Sequence, residues 1–229
     1  MYPIIANGLV VWEPQDLVVR NIISQYIITN LERASQDINK AWTFHQIDAP
    51  TLMHRKDINV SYTIDDIMPI EQQELTLRPE TTLGSYLYAK DIIEKLGTRH
   101  SLPMCVFQQG KSYRNEQDKT LHHMRLKEFY QLEFQFIYDK STKANYPLLL
   151  QDKALKIIQH FFSGKFVTLE SSDRLPTYSE ETIDIVIDEL EICSMSKRKD
   201  FLIEHIDVFE IAFGLDRLVA LYNNFSKER

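Results

Sequence analysis

The sequence has little cysteine, no basic excess and no long apolar run, and each shortage excludes something. Its two cysteines, Cys105 and Cys193, stand far apart, in no disulfide framework and no metal-ligand spacing, which fits a reduced, intracellular setting. Net charge is −7, so the chain is not built to coat nucleic acid, a task that needs a broadly basic face; a local basic site is still open to it. No apolar stretch approaches membrane-spanning length. The N-terminal MYPIIANGLVVWEPQ has neither a charged leader region nor a cleavage site, so the cytoplasm is the expected location. No low-complexity tract, internal repeat or hydrophilic linker divides the chain, and residues 1–229 read as one domain. A hydrophobic content of 44% is enough for one sizeable core.

What is there has a clear period. Apolar residues recur at helical spacing over 15–33 (Val19, Ile22, Ile23, Tyr26, Ile27), with Pro14 just ahead. WTFHQIDAPTL reads as a strand ending at Pro50. ELTLRPETTLGSYLYAKDIIEKLG reads as a short strand, a turn and a helix capped by Gly97. LPMCVFQQGKSYRNE is a strand and EFYQLEFQFIY its antiparallel return. YPLLLQDKALKIIQHFFSG is a third helix, DRLPTYSEE a loop, and TIDIVIDELEICSM one long strand or a strand pair. VFEIAFG and LDRLVALYNNF are a last strand and a last helix. Strands crowd the middle and end, with helices around them. The fold class is therefore α+β, a mainly antiparallel sheet flanked by helices.

The chemistry concentrates between Gly110 and Gln135, GKSYRNEQDKTLHHMRLKEFYQLEFQ. Side chains two apart on a strand share a face, so Phe129, Gln131, Glu133 and Gln135 point one way and Tyr130, Leu132, Phe134 and Phe136 the other. The second set is a core face. The first is polar with one aromatic at its edge, and Arg114 and Glu116 on the neighbouring strand can lie over it. A solvated polar face is common in antiparallel sheets. Gln and Glu are poor strand formers, however, and three of them alternating point to something other than propensity. The connecting segment adds Lys119, His122, His123 and Arg125, an anion-attracting group beside an aromatic plate. A planar base could stack on Phe129 with its phosphates held by the arginines.

Arg114-Asn-Glu116, a loop, and Arg125-Leu-Lys-Glu-Phe129 resemble motif 2 of the class II aminoacyl-tRNA synthetases, and of the glycyl-tRNA synthetases in particular. The resemblance implies ATP binding. Arg114 would hold the α-phosphate, Glu116 the adenine amino group and Arg125 the γ-phosphate, with Phe129 stacked under adenine. VFEIAFGLDRLVALYN resembles motif 3, which implies Arg217 on the ATP tail and Glu210 on the substrate amino group. LRPETTLG resembles the family's RPETAQG, implying Glu80 as an ammonium ligand and Arg78 as support for the turn. LEICSMSKRKDF resembles Glu-x-x-Gly-x-Ala-x-Arg-x-Asp-Phe. Glu191 would then be a ligand of Mg2+ on ATP, and Arg198 would hold the substrate carboxylate. Gln131 and Glu133 would line the amino-acid pocket. Ala212 stands where the family has Ser, and Ser194 and Ser196 stand where it has Gly and Ala. Helix 15–33 and the strand after it resemble motif 1, which builds the family's dimer interface.

The resemblance runs from about Gly8 to Asn223. It implies a homodimeric ligase that uses ATP and Mg2+ to activate a small amino acid, glycine first, with Arg114 and Arg217 as catalytic residues and a tRNA end as acceptor. No anticodon-binding domain is expected after Arg217. Two other activities are open to the same fold, a non-catalytic accessory or regulatory protein and a ligase with a non-tRNA acceptor. One further expectation follows from these implied roles. Glu80, Glu133 and Glu210 should gather in one small volume, where three carboxylates repel one another and call for a cationic guest such as an α-ammonium.

Overall fold

The structure, a computed structural model, describes residues 4–6, 8–71, 73–115, 124–172, 175–201 and 203–227. In chain order its elements are β1 (Ile4–Ala6), β2 (Leu9–Val10), α1 (Pro14–Ile38), β3 (Thr43–Gln46), β4 (Leu52–His54), a 3-10 turn (Arg55–Asp57), β5 (Met68–Pro69), β6 (Leu75–Leu77), α2 (Thr82–Leu96) and α3 (Thr98–Ser101). There follow β7 (Met104–Tyr113), β8 (Glu128–Asp139), α4 (Tyr146–Phe161), β9 (Val167–Ser171), β10 (Ser179–Ile187), β11 (Leu190–Arg198), β12 (Ile206–Gly214) and α5 (Leu215–Lys227).

A seven-stranded sheet, ordered β3-β7-β8-β12-β11-β10-β9, forms the body. Only β3 and β7 run parallel; every other neighbouring pair is antiparallel. The α+β expectation is met. One sheet face carries Leu132, Phe134, Phe136, Ile211 and Phe213, and these pack with Ile23, Ile27 and Leu31 of α1 and with residues of α4 and α5. The other face is apolar only at one end, where Met104, Val106, Ile137 and Val208 meet Tyr86, Ala89 and Ile93 of α2. Between them the two faces divide β8 by the period of two read from its sequence.

Three local outcomes refine the sequence reading. The helix expected over 15–33 continues to Ile38, because Leu31 and Ser35 still face the core. TIDIVIDELEICSM is a strand pair. Asp188 and Glu189 turn it with φ of 49° and 65°, the left-handed pair that a tight two-residue hairpin requires. The short strand read at the start of ELTLRPETTLG is β6, but its partners β4 and β5 in the small sheet β4-β6-β5 and the edge strand β9 went unread, since strands of two to five residues are too short to establish a period. Among the described residues no helix is long and apolar enough to cross a membrane.

Candidate active site

The site is built on the polar face of the central strands. Strand register sets Gln108, Glu133, Ala212, Ser194 and Asp184 in one row and Val106, Gln135, Glu210, Ser196 and Thr182 in the next. Directly opposed residues share a face, so both rows look the same way. This face is not washed by solvent. Gln131, Glu133 and Gln135 are 6%, 1% and 0% exposed, which removes the solvated-face reading.

The roof over one end is the segment Arg78–Thr82, and Arg78 holds it down. Its Nε donates to the Lys111 carbonyl (2.9 Å) and its Nη1 to that of Ala49 (2.7 Å). The guanidinium lies where a side chain on residue 110 would be, so Gly110 is needed for the close approach. Gln108 Nε2 adds a bond to the Thr81 carbonyl (2.7 Å). The support role expected of Arg78 is what its bonds describe.

Held in this way, the roof brings Glu80 down to Glu133 and Glu210. Arg198 Nη2 reaches Glu80 Oε1 (3.3 Å) and its Nη1 reaches Glu210 Oε2 (2.9 Å). The Thr82 hydroxyl sits between Glu133 Oε1 (2.7 Å) and Glu210 Oε2 (3.2 Å). Gln135 Nε2 donates to both, at 2.8 Å and 2.6 Å, and the Gln131 amide donates to Glu133. The three acids therefore converge. Burial pushes the Glu210 carboxyl up to about 8, Arg198 opposing and Glu133 and Glu80 adding to the rise. Burial raises Glu133 too, with Glu80 the next cause. Removing a carboxylate from water without enough counter-charge favours its neutral form, and the cluster has more acid than base.

Arg198 has surroundings the sequence did not show. Its Nε and Nη2 grip Asp200 at 3.0 Å and 2.7 Å, its other bonds go to Glu80 and Glu210, and its guanidinium carbon lies 3.6 Å from the centre of the Tyr178 ring. These bonds use four of its five N–H donors, so a substrate carboxylate can meet it at the second Nη1 N–H or by taking over one of them.

Arg114 continues the site toward Phe129. Its Nε donates to the Pro79 carbonyl (3.0 Å), its Nη2 to the Tyr62 hydroxyl (3.0 Å), and its guanidinium carbon is 5.3 Å from the Phe129 ring centre. Phe129 stands opposite Ser112 at the open end of the same face. Arg125 is half-buried in the segment leading into β8. Glu116, Lys119, His122 and His123 lie outside the described residues.

At the far side, Arg217 in the first turn of α5 donates to the Glu191 carbonyl (2.7 Å) and pairs with Glu191 Oε1 (3.2 Å). Asp184 is a neighbour that sequence reasoning missed. Burial raises its carboxyl, with the Glu191 charge the second cause, and its Oδ1 is buried without a hydrogen-bond partner among the described residues. An orphaned acid oxygen beside a second carboxylate is a place a cation would relieve. Among the described residues no three acid, His or Cys ligands form a metal cage. Magnesium does not need one, because it keeps waters and takes one or two carboxylates with substrate phosphates, so Glu191 and Asp184 fit it.

The remaining unforeseen residues are Tyr62, Thr82, Tyr178 and Asp200. Thr182 and Asp184 alternate ahead of Glu191, and that pattern could have revealed Asp184. Tyr62 lies in an aperiodic stretch that gave no signal.

A fold of this topology, with an arginine-glutamate cluster on a buried sheet face, has known counterparts. A family model described as "tRNA synthetases class II core domain (F)" matches residues 13–187, and the chain belongs to the class II aminoacyl-tRNA synthetase core family. Among curated relatives, the glycine–tRNA ligase of Mycoplasmopsis synoviae (strain 53) is 26% identical over 205 residues, covering 76% of this chain and 45% of that protein. The glycine–tRNA ligase of Mycoplasma genitalium is 27% identical over 191 residues, covering 80% and 38%. The chain thus spans under half the length of these relatives. Among solved structures, Giardia lamblia prolyl-tRNA synthetase in complex with prolyl-adenylate superposes with a TM-score of 0.65 at 15% identity, over 93% of this chain and 48% of that one. Pyrrolysyl-tRNA synthetase from Desulfitobacterium hafniense gives 0.62 at 18% identity, over 88% and 70%. At such identities the two structures show the shared fold.

Proposed function

We propose that this protein activates a small α-amino acid, glycine first, by joining it to ATP as an aminoacyl-adenylate with release of pyrophosphate. The convergence of Glu80, Glu133 and Glu210 carries the reading. An α-ammonium placed among them supplies the positive charge the cluster lacks, and turns a costly set of buried acids into a satisfied one. Arg198 is then the fixed cation against which Glu80 and Glu210 are aimed, and the partner for a substrate carboxylate.

The ATP half follows along the same face. Phe129 carries the adenine and Glu116 accepts from its amino group. Arg114 holds the α-phosphate, Arg125 the γ-phosphate, and Arg217 the tail, since guanidinium forks match phosphate oxygens. Glu191 and Asp184 would hold Mg2+ against the phosphates, where it neutralises charge. The amino-acid carboxylate attacks the α-phosphorus in line. A new P–O bond forms, the bond to the bridging oxygen breaks, and the electron pair leaves with pyrophosphate. The side chains do no covalent chemistry; they set the approach and offset the charge that develops.

The amino acid is the finer part of the proposal. The relatives are named for glycine and the structural neighbours for proline and pyrrolysine. Gln131 and Glu133 line the pocket, and half-buried Ala212 opposes Glu133, so the serine hydroxyl of the glycyl pattern is missing beside that carboxylate. One lost hydrogen bond is worth ~1 kcal/mol, a several-fold weaker grip on glycine. Transfer to a tRNA 3′ end, a homodimer and a cytoplasmic site of action belong to the same proposal. The test is Arg114→Ala. Adenylate formation should fall ~100-fold or more, with melting lowered by only a few degrees. Undiminished pyrophosphate exchange in that variant would remove Arg114 from the chemistry.

A further inference from the structure

The segment 58–66 contains no regular strand or helix, yet it is tied down along its length. Asn59 Nδ2 donates to Asp200 Oδ2 (2.7 Å), and the Ser61 hydroxyl bonds to that of Thr177. The Asn115 amide N–H donates to the Asp66 carbonyl (2.8 Å), and Asn115 Nδ2 to that of Asp65 (3.1 Å). Between these anchors Tyr62 reaches inward. Its hydroxyl donates to Glu80 Oε2 (3.1 Å) and accepts from Arg114 Nη2 (3.0 Å). The direction is fixed by chemistry. A guanidinium only donates and an ionised carboxylate only accepts, so the phenol between them accepts from one and donates to the other. Burial holds that phenol well above its ordinary range and keeps the proton in place for this relay.

We propose that Tyr62 is a positioning residue that couples the two substrate subsites, its single hydroxyl joining the arginine assigned to the α-phosphate to the glutamate assigned to the amino-acid ammonium. The inference rests on the proposed function and adds to it a residue that touches neither reacting atom. A phosphate that fixes Arg114 also fixes the hydroxyl, and through it Glu80; an ammonium on Glu80 acts in reverse. Whichever ligand arrives first removes freedom that the second would otherwise have to remove, so each tightens the other by the same factor. Ring packing is separable from this effect. The Arg114 guanidinium carbon lies 5.3 Å from the Tyr62 ring centre, and Tyr62→Phe keeps the ring while deleting the relay.

The experiment is calorimetry on wild type and Tyr62→Phe. Glycine is titrated with and without Mg2+ and α,β-methylene-ATP, which cannot release pyrophosphate; the other common amino acids are titrated in turn if glycine does not bind. In wild type the ATP analogue should tighten amino-acid binding about tenfold. In Tyr62→Phe that factor should fall below about twofold, while each ligand alone binds within about threefold of wild type. The inference is overturned if Tyr62→Phe keeps the wild-type coupling, or weakens each ligand alone without changing it, as a packing residue would. Wild-type binding of both ligands without coupling overturns it as well and leaves the proposed activity standing. Wild-type binding of no analogue and no amino acid ends the proposed activity and this inference together.

Discussion

Glu210 and Asp216 are carboxyls whose charge is disfavoured near neutral pH. Glu210 titrates at about 8, burial being the main cause. Asp216 is pushed up to about 7 by burial, against the pull of the Tyr130 N–H (2.8 Å) and the Arg20 charge, and its Oδ1 has no hydrogen-bond partner among the described residues. Both pKa values stand above those of an unfolded chain. Their protonated forms therefore favour folding fully below the ordinary carboxylate range, and that contribution is lost as pH rises through 7 and 8. The melting temperature should fall from pH 5 to pH 8.5, by about 5 °C or more. Asp216→Asn should flatten the fall up to about 7, and Glu210→Gln the fall up to about 8. A melting temperature that climbs over this range would show that both acids ionise freely in the fold. An α-ammonium ligand should also flatten the curve, because it stabilises the ionised form of Glu210.

Among elements, α2 shows how tightly the roof is set. Gly84 in its first turn lies against Ala49, and a methyl group there would fall far inside contact with the Ala49 side chain. Gly84→Ala should destabilise by ~1–3 kcal/mol, read from the urea midpoint, and should also weaken amino-acid binding as Thr81 and Thr82 move off Glu133. Gly97 at the end of the same helix has φ +76° and open space around it. Gly97→Ala should cost ~1 kcal/mol through backbone strain alone and leave binding untouched. If the two variants weaken binding alike, the effect is not geometric.

The same elements show what the sequence could and could not tell. The period of two along β8 placed its polar and core residues on the correct faces, and helical spacing located α1, α2, α4 and α5. The family resemblance then brought Glu80, Glu133 and Glu210 to one place, as the structure does. Pairings made outside the periodic stretches were hidden. Asp200 takes Arg198 just past the end of β11, where the chain has left the alternating pattern, and Tyr62 enters from a stretch without any pattern. The burial of the polar face was equally out of sight, because it depends on a roof held by Arg78, which follows the middle strand of the small sheet.

For the whole molecule, the outer side of α1 raises the question of assembly. Ile23 and Ile27 are spent inside the chain, but Val18 and Ile22 are 58% and 56% exposed, with Leu17 and Val11 also open. An apolar set on one helix in a chain of net charge −7 suits a self-complementary contact about a two-fold axis. Light scattering at micromolar concentration should return twice the 27.0 kDa chain mass, and Ile22→Glu should return the single chain. A monomer in the wild type would assign that surface to something other than a second copy. The central claim, however, is that one buried face of the sheet holds an amino acid by its ammonium and joins its carboxylate to the α-phosphate of ATP. ATP–pyrophosphate exchange, run with each common amino acid in turn, measures this most directly. Exchange should depend on a small amino acid, glycine first, and drop sharply in Glu80→Gln. Exchange with no amino acid, or only with large apolar or acidic ones and unaffected by Glu80→Gln, would contradict it.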